Sequence, residues 1–156
     1  MSALEKQGIK IVARNREAYH EYFVEEEMEA GIELCGTEVK SVRQGTLNLK
    51  DAWCGIKDGQ LMINQMHISP YEHGNIFNRD PLRPRRLLMH KREIMRLYGK
   101  VKQDGYSLIP LTVYFKGSRV KVKIGLCKGK KLYDKRQAAA NRDAKRQIER
   151  AMKERY

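Results

Sequence analysis

Residues 107–126 constrain this chain more than any other stretch, because they alternate in a way that only a strand permits. In Arg119 to Leu126, Val120, Val122 and Ile124 fall on one face while Arg119, Lys121 and Lys123 fall on the other. Ser107 to Phe115 is β-branched and aromatic, and Gly117-Ser118 supplies a turn between the two runs, so the pair is expected as a hairpin. A second hairpin is expected where Ala52 to Lys57 and Gln60 to Gln65 flank Asp58-Gly59, a dipeptide suited to the positive φ angles of a tight turn. Lys10 to Ala13 and Glu21 to Val24 are strand-like as well. Gly36 to Gly45 is bounded by glycines, with Glu38, Lys40 and Arg43 spaced for a short helix. Between Lys91 and Gln103, Ile94, Leu97, Tyr98 and Val101 recur at i, i+3, i+4 and i+7 opposite Arg92, Arg96 and Lys100, and Asp104-Gly105 closes that helix. Ser69 to Pro84 is rich in Pro, Asn, Gly and His and reads as a long loop. The fold class is therefore mainly β (α+β), with helices added to strands.

A length of 156 residues suits one core with a dependent appendage. Thirty-two Lys and Arg against nineteen Asp and Glu give a net charge of +13, which points to a polyanionic partner, nucleic acid first. That charge is unevenly placed. Cys127 to Tyr156 holds eleven basic and four acidic residues, net +7, and Arg79 to Lys102 holds nine and two, also net +7. Nine of the acids lie between Glu5 and Glu38, so the body has an acidic side. Asp134 to Tyr156 has high helix propensity but only Ile148 and Met152 as large aliphatic residues, too few for a core of its own. The chain is expected to divide into a flexible N-terminus (1–8), a β body (9–127) and a basic tail (128–156) that is disordered or becomes helical on binding.

Met1 to Ile11 lacks the apolar stretch of a secretory signal, and no apolar run approaches the roughly eighteen residues of a membrane span. The expected location is the cytoplasm. Cys35, Cys54 and Cys127 are odd in number and widely spaced, which favours reduced, buried thiols over a disulfide framework.

Catalysis would need a nucleophile beside a base, paired carboxylates in an apolar setting, or a metal cluster at recognisable spacing. The sequence offers none of these. His20, His67, His73 and His90 are scattered, Glu25, Glu26 and Glu27 are consecutive, and Gly125-x-x-x-Gly129-Lys130-Lys131 lacks the spacing and the Ser/Thr of a phosphate loop. No enzyme activity, cofactor or metal is expected. The run Lys128, Lys130, Lys131, Lys135 and Arg136, with Tyr133 among them, offers phosphate charges and a stacking ring, and serves equally as the solvated end of a domain. Arg83, Arg85 and Arg86 pose the same alternative, although arginine forks suit phosphate better than mere solvation requires.

Several ordered blocks resemble a known family. They are Asn15-Arg16, Glu25 through Ile32, Gly36 through Arg43, Asp80-Pro81 with Arg83 and Arg85 through Leu88, Gly99, and above all Lys121 through Arg136. They resemble small protein B, the transfer-messenger RNA binding family of bacterial trans-translation, in a match that runs from about Lys10 to Met152. The resemblance implies a small antiparallel β-barrel related to oligonucleotide-binding folds, with short helices packed on it. It implies an RNA-binding adaptor, acting as a monomer, whose barrel binds the elbow of the transfer-RNA-like domain of transfer-messenger RNA and delivers it to stalled ribosomes. The matching barrel positions are Asn15, Glu29, Glu38, Lys40, Arg43, Arg86, Leu88 and His90. The tail is implied to occupy the empty decoding centre, at small-subunit ribosomal RNA, and the messenger channel, with Lys128, Lys130, Lys131, Tyr133, Asp134, Lys135 and Arg136 as ribosomal contacts. Many members carry histidine where this chain has Tyr133 and asparagine where it has His90. Tyr133 can stack as histidine does but offers no proton near neutral pH.

Overall fold

The computed structural model describes residues 8–74, 76 and 78–130. Both expected hairpins form. Strands β8 (Ser107–Lys116) and β9 (Arg119–Gly129) pair through nine residue positions, from Ser107 opposite Cys127 to Lys116 opposite Arg119. In β9 the valines and Ile124 face the core and Arg119, Lys121 and Lys123 face outward, as the period-two pattern requires. Strands β4 (Trp53–Lys57) and β5 (Gln60–Asn64) close with Lys57 opposite Gln60. Asp58 at φ 54° and Gly59 at φ 76° make the left-handed two-residue turn that the dipeptide favours.

The remaining elements are β1 (Ile9–Arg14), α1 (Arg16–Glu21), β2 (Tyr22–Ile32), α2 (Gly36–Arg43), β3 (Leu47–Asn48), β6 (His67–Ile68), β7 (Arg85–Leu88) and α3 (Lys91–Asp104). Strands β3 and β6 form a small separate pair. The other seven lie in the order β1-β8-β4-β5-β7-β2-β9, and β9 returns to β8, so the antiparallel pairings close into a ring with β1 added along β8. One edge of β8 is filled by β9, and the other by β1 at Thr112 to Lys116 and then β4 at Leu108. This is the small closed antiparallel sheet of the oligonucleotide-binding kind, mainly β with three helices among the described residues.

The ring is filled by Leu61, Ile63, Leu87, Val113, Phe115, Val122 and Ile124, with Ile94 and Leu97 of α3 and Val42 of α2 in the same cluster. Burial of such side chains stabilises by roughly 1.5–3 kcal/mol each. A second, smaller cluster of Ala18, Ile109, Leu111 and Cys127 seats α1 on the outside of β8 and β9.

Three expectations are corrected. Strand β2 runs to Ile32, far beyond Val24, because Glu25, Glu27 and Glu29 are its exposed side while Met28 is half-buried and Ala30 buried. Cys35 is only half-buried at the start of α2, whereas Cys54 and Cys127 are buried; all three are free thiols. Tyr98 is an exposed flank of α3, so its inward stripe is Ile94, Leu97 and Val101. Helix α1 and strand β7 are elements that the sequence reading did not anticipate. Among the described residues no helix is long and apolar enough to cross a membrane, and no group of His, Cys, Asp or Glu is placed to hold a metal ion.

Candidate nucleic-acid interface

The candidate residues of the body fall on two neighbouring surfaces. The first is the outer face of β2, β9, β8 and β1, where alternation places every second residue toward solvent. Glu29 of β2 lies opposite Lys123 of β9, which lies opposite Thr112 of β8, which lies opposite Arg14 of β1. One step along, Gly31, Lys121, Tyr114 and Ile11 form the adjacent row. The first row, with Tyr114 and Ile11 of the second, lines an open groove of about 710 Å³, which also takes in Asn15, Tyr19, Glu27 and Met28.

Asn15 fixes one end of that groove. Its side-chain oxygen accepts from the Ala18 N–H at 3.3 Å, capping α1, while its Nδ2 donates to the Pro110 carbonyl at 3.0 Å. Its backbone N–H donates to the Leu111 carbonyl at 2.8 Å. Both polar ends of the side chain are thus engaged in joining α1 to β8. Glu29 stands over the groove floor. Its Oε2 accepts from the Tyr114 hydroxyl and its Oε1 lies 3.5 Å from Lys116 Nζ. The hydrogen bond from Tyr114 lowers its pKa, outweighing partial burial, with Lys116 and Lys121 acting in the same direction.

The second surface joins α2 to the end of β7. Leu88 is 44% exposed and lies against Gly31, where an added Cβ would come within 3.3 Å of the Leu88 Cβ. The missing side chain at Gly31 gives Leu88 its seat on β2, two residues from Glu29 along the same outer face. Leu88 shares an open hollow with Val39 of α2 and Arg119 of the β8–β9 end. Arg43, at the C-terminal end of α2, lies over the Phe115 ring at 5.8 Å, and Lys40 over the Tyr71 ring at 5.4 Å. Arg86 is an exposed neighbour of Leu88, its guanidinium 3.7 Å from Glu33. His90 is exposed at the start of α3, its carbonyl accepting from the Ile94 N–H at 3.1 Å.

Glu38 is placed differently from the other seven. It is buried, its Oε1 accepts from the Cys35 N–H at 2.9 Å and from Arg83, and its Oε2 accepts from Arg83 Nε at 3.1 Å and Arg85 Nε at 2.5 Å. Burial alone would raise its pKa, but the hydrogen bonds from Arg83, the Cys35 amide and Arg85 hold it at about 2. Arg85 is itself buried and donates further to the Met66 and Pro81 carbonyls at 2.7 and 3.1 Å. Of the three arginines 83, 85 and 86, only Arg86 is exposed; Arg83 ties α2 to the loop before β7 and Arg85 ties it to the start of β7.

Two of the tail's candidate contacts are described. Lys128 lies over the Tyr106 ring at 4.6 Å, while Lys130 lies over the Phe23 ring at 5.2 Å and donates to the Tyr19 carbonyl at 2.9 Å. The candidates Lys131, Tyr133, Asp134, Lys135 and Arg136 lie outside the described residues. The consecutive glutamates separate physically. A bulge between Val24 and Glu26 interrupts the register, Glu25 accepts from the Tyr106 hydroxyl, and Glu26 pairs with both terminal nitrogens of Arg96 at 2.6 and 3.1 Å. Glu27 meets the Tyr19 hydroxyl at 3.4 Å and Lys123 at 3.7 Å. Sequence reading did not pick out Tyr114, Arg14 or Tyr19 for this surface. The outward phase of Tyr114, between inward Val113 and Phe115, is the signal that would have found it.

The comparisons with known proteins agree along almost the whole chain. A family model described as SmpB protein matches residues 12–154. The SsrA-binding protein of Ruminiclostridium cellulolyticum is 59% identical over 149 residues, covering 96% of this chain and 97% of its own. That of Carboxydothermus hydrogenoformans is 58% identical over 147 residues, covering 94% and 99%. A chain in the solved structure reported as "tmRNA-SmpB: a journey to the center of the bacterial ribosome" is 46% identical, with a TM-score of 0.63, and covers 76% of this chain and 83% of that one. The family model's reach over residues 12–154 and the identity to these relatives lead to one conclusion: this chain belongs to the SmpB protein family.

Proposed function

We propose that this protein is an RNA-binding adaptor which binds the transfer-RNA-like domain of transfer-messenger RNA and delivers it to stalled ribosomes for trans-translation. The observation that carries this is the match of residues 12–154 to the SmpB family together with the 46% identity to a chain solved in a tmRNA–SmpB study of the bacterial ribosome. The net charge of +13 supports a polyanionic partner, because neutralising phosphates releases counterions and supplies much of the affinity.

In this reading the chain acts as a monomer in the cytoplasm, with a short N-terminus (1–8), a barrel (9–127) and a basic tail (128–156). The barrel grips the RNA elbow with Asn15, Glu29, Lys40, Arg43, Arg86, Leu88 and His90, and Glu38 serves by holding Arg83 and Arg85 in place. The tail, beginning with Lys128, Lys130 and Lys131, enters the empty decoding centre and messenger channel. Chemistry is left to the ribosome, and the protein is not an enzyme.

Competition binding tests the reading. A folded transfer-RNA-like elbow is expected to displace labelled transfer-messenger RNA at concentrations where unrelated single-stranded RNA does not. Equal competition by the two would make the protein a general single-strand binder and end the proposal.

A further inference from the structure

A carboxylate on the face that meets RNA is at first sight misplaced, since it repels phosphate. The surroundings of Glu29 are basic. Lys123 of β9 stands opposite it, Lys121 follows on the same strand, Lys116 of β8 lies 3.5 Å away, and Arg14 of β1 ends its row. The other titratable groups on the groove are Tyr114 of β8, Tyr19 and Arg16 of α1, and Glu27 of β2. Yet the chain does not leave Glu29 to find its own partner among these cations. The Tyr114 side chain is 4% exposed and its hydroxyl donates to Glu29 Oε2. Tyr114 is itself packed almost out of reach of solvent, so the donor has little freedom to turn away.

An ionised carboxylate has no proton to donate and four lone-pair positions with which to accept. Tyr114 occupies one of them. Lys116 reaches toward a second, and the positions left on this carboxylate, which lines the groove, can accept only from donors. Phosphate oxygens are not donors. On RNA the donors are base amino and imino groups and the ribose 2′-hydroxyl.

We propose that Glu29 reads a hydrogen-bond donor of the bound RNA, a base edge or a 2′-hydroxyl, while the lysines and Arg14 around it take phosphates, and that Tyr114 is the positioning residue that fixes Glu29 for this role. The inference rests on the RNA-elbow reading above. It divides the groove into one acceptor that selects and a cationic frame that attracts. Glu29 then contributes discrimination and the frame contributes salt-dependent affinity.

The test uses the full-length protein and a synthetic transfer-RNA-like elbow RNA. Removing one charge-assisted hydrogen bond from Glu29 by Tyr114→Phe is expected to weaken elbow binding about tenfold at neutral pH. The dependence of log affinity on log salt should not change, because no phosphate contact is removed. On acidification the variant should lose affinity at a higher pH than the wild type, since Glu29 no longer has the donor that favours its ionised form. A carbon-13 titration of the Glu29 carboxyl without RNA should move upward in the variant. Glu29→Gln should cost a similar factor and abolish the acid limb, and Tyr114→Phe should add nothing to it. Elbow RNAs lacking 2′-hydroxyls, or carrying inosine for guanosine, identify the donor as the group whose removal weakens the wild type but not Glu29→Gln.

If Tyr114→Phe binds and titrates like the wild type, or if it changes the salt slope by one phosphate, the inference fails while the elbow reading stands. The same holds if no removal of a 2′-hydroxyl, a base amino group or a base imino group distinguishes wild type from Glu29→Gln. If the wild type itself does not prefer the elbow, the function falls first and takes this inference with it. Should Tyr114→Phe fail to fold, Glu29→Gln carries the test alone, and an acid limb that survives in it overturns the proposal.

Discussion

Glu38 looks, in sequence, like any acid of a short amphipathic helix, and its environment gives it a different role. It is buried among Arg83, Arg85 and the Cys35 amide, and its pKa is held at about 2. The folded value lies below the unfolded one near ~4.3. Its ion pairs therefore stabilise the fold fully above that pH, and the contribution, about 3 kcal/mol, is lost as pH falls toward 2. Replacing it leaves Arg85 buried without its counter-charge, a change that costs about 3 to 5 kcal/mol. Glu38→Gln is expected to lower the melting temperature by about 10 °C or more, and thermal unfolding followed by circular dichroism at pH 7 and pH 3 measures it. The gap between variant and wild type should narrow at the lower pH. Leu88 gives the opposite expectation. It is half out of the core, so Leu88→Ala should change stability by less than about 1 kcal/mol while weakening the RNA complex severalfold. Parallel melting curves and elbow-binding titrations separate the two effects.

At the scale of elements, legibility in the sequence follows locality. The β4–β5 hairpin is readable because its turn is encoded in two adjacent residues with positive φ, Asp58 and Gly59. A β-branched residue resists that conformation, so Gly59→Val should destabilise by about 1–2 kcal/mol, as read from urea unfolding. Helix α3 is readable for the same reason, its stripe being contained in its own residues. Strand β2 is not, because three consecutive glutamates and a bulge hide its alternation, and what makes it a strand is nine partners on β9, about a hundred residues away. Strand β7 depends similarly on Leu61 to Ile63 of β5 and on Gly31 and Ile32 of β2. Helix α1 is capped by Asn15, but its six residues carry too little periodicity to announce a helix in sequence. The site divides in the same way. Family likeness marked Glu29 and Leu88, whereas Tyr114 and the Glu38 ion pairs emerge only when β8, β2, α2 and the loop before β7 meet.

For the whole molecule the division between body and tail carries the sharpest expectation. Deleting residues 134–156 should leave affinity for the RNA elbow within about threefold, because few of the elbow's phosphates would be lost. The same deletion should abolish tagging and release on stalled ribosomes in a reconstituted translation assay. Loss of both activities together would mean that the two regions are not separable.

The ring of strands is not equally firm all the way round. Strand β9 holds β8 and β2 through nine positions each, whereas β4 meets β8 only at Cys54 opposite Leu108. Thermal breathing should begin at that narrow seam, so the amides of β4 should trade hydrogen for deuterium ahead of those in β9. The staves that carry Glu29, Lys121 and Lys123 would stay clasped while the far side of the cylinder flickers open. The groove that holds Glu29 thus lies on the stiffest wall of the cask.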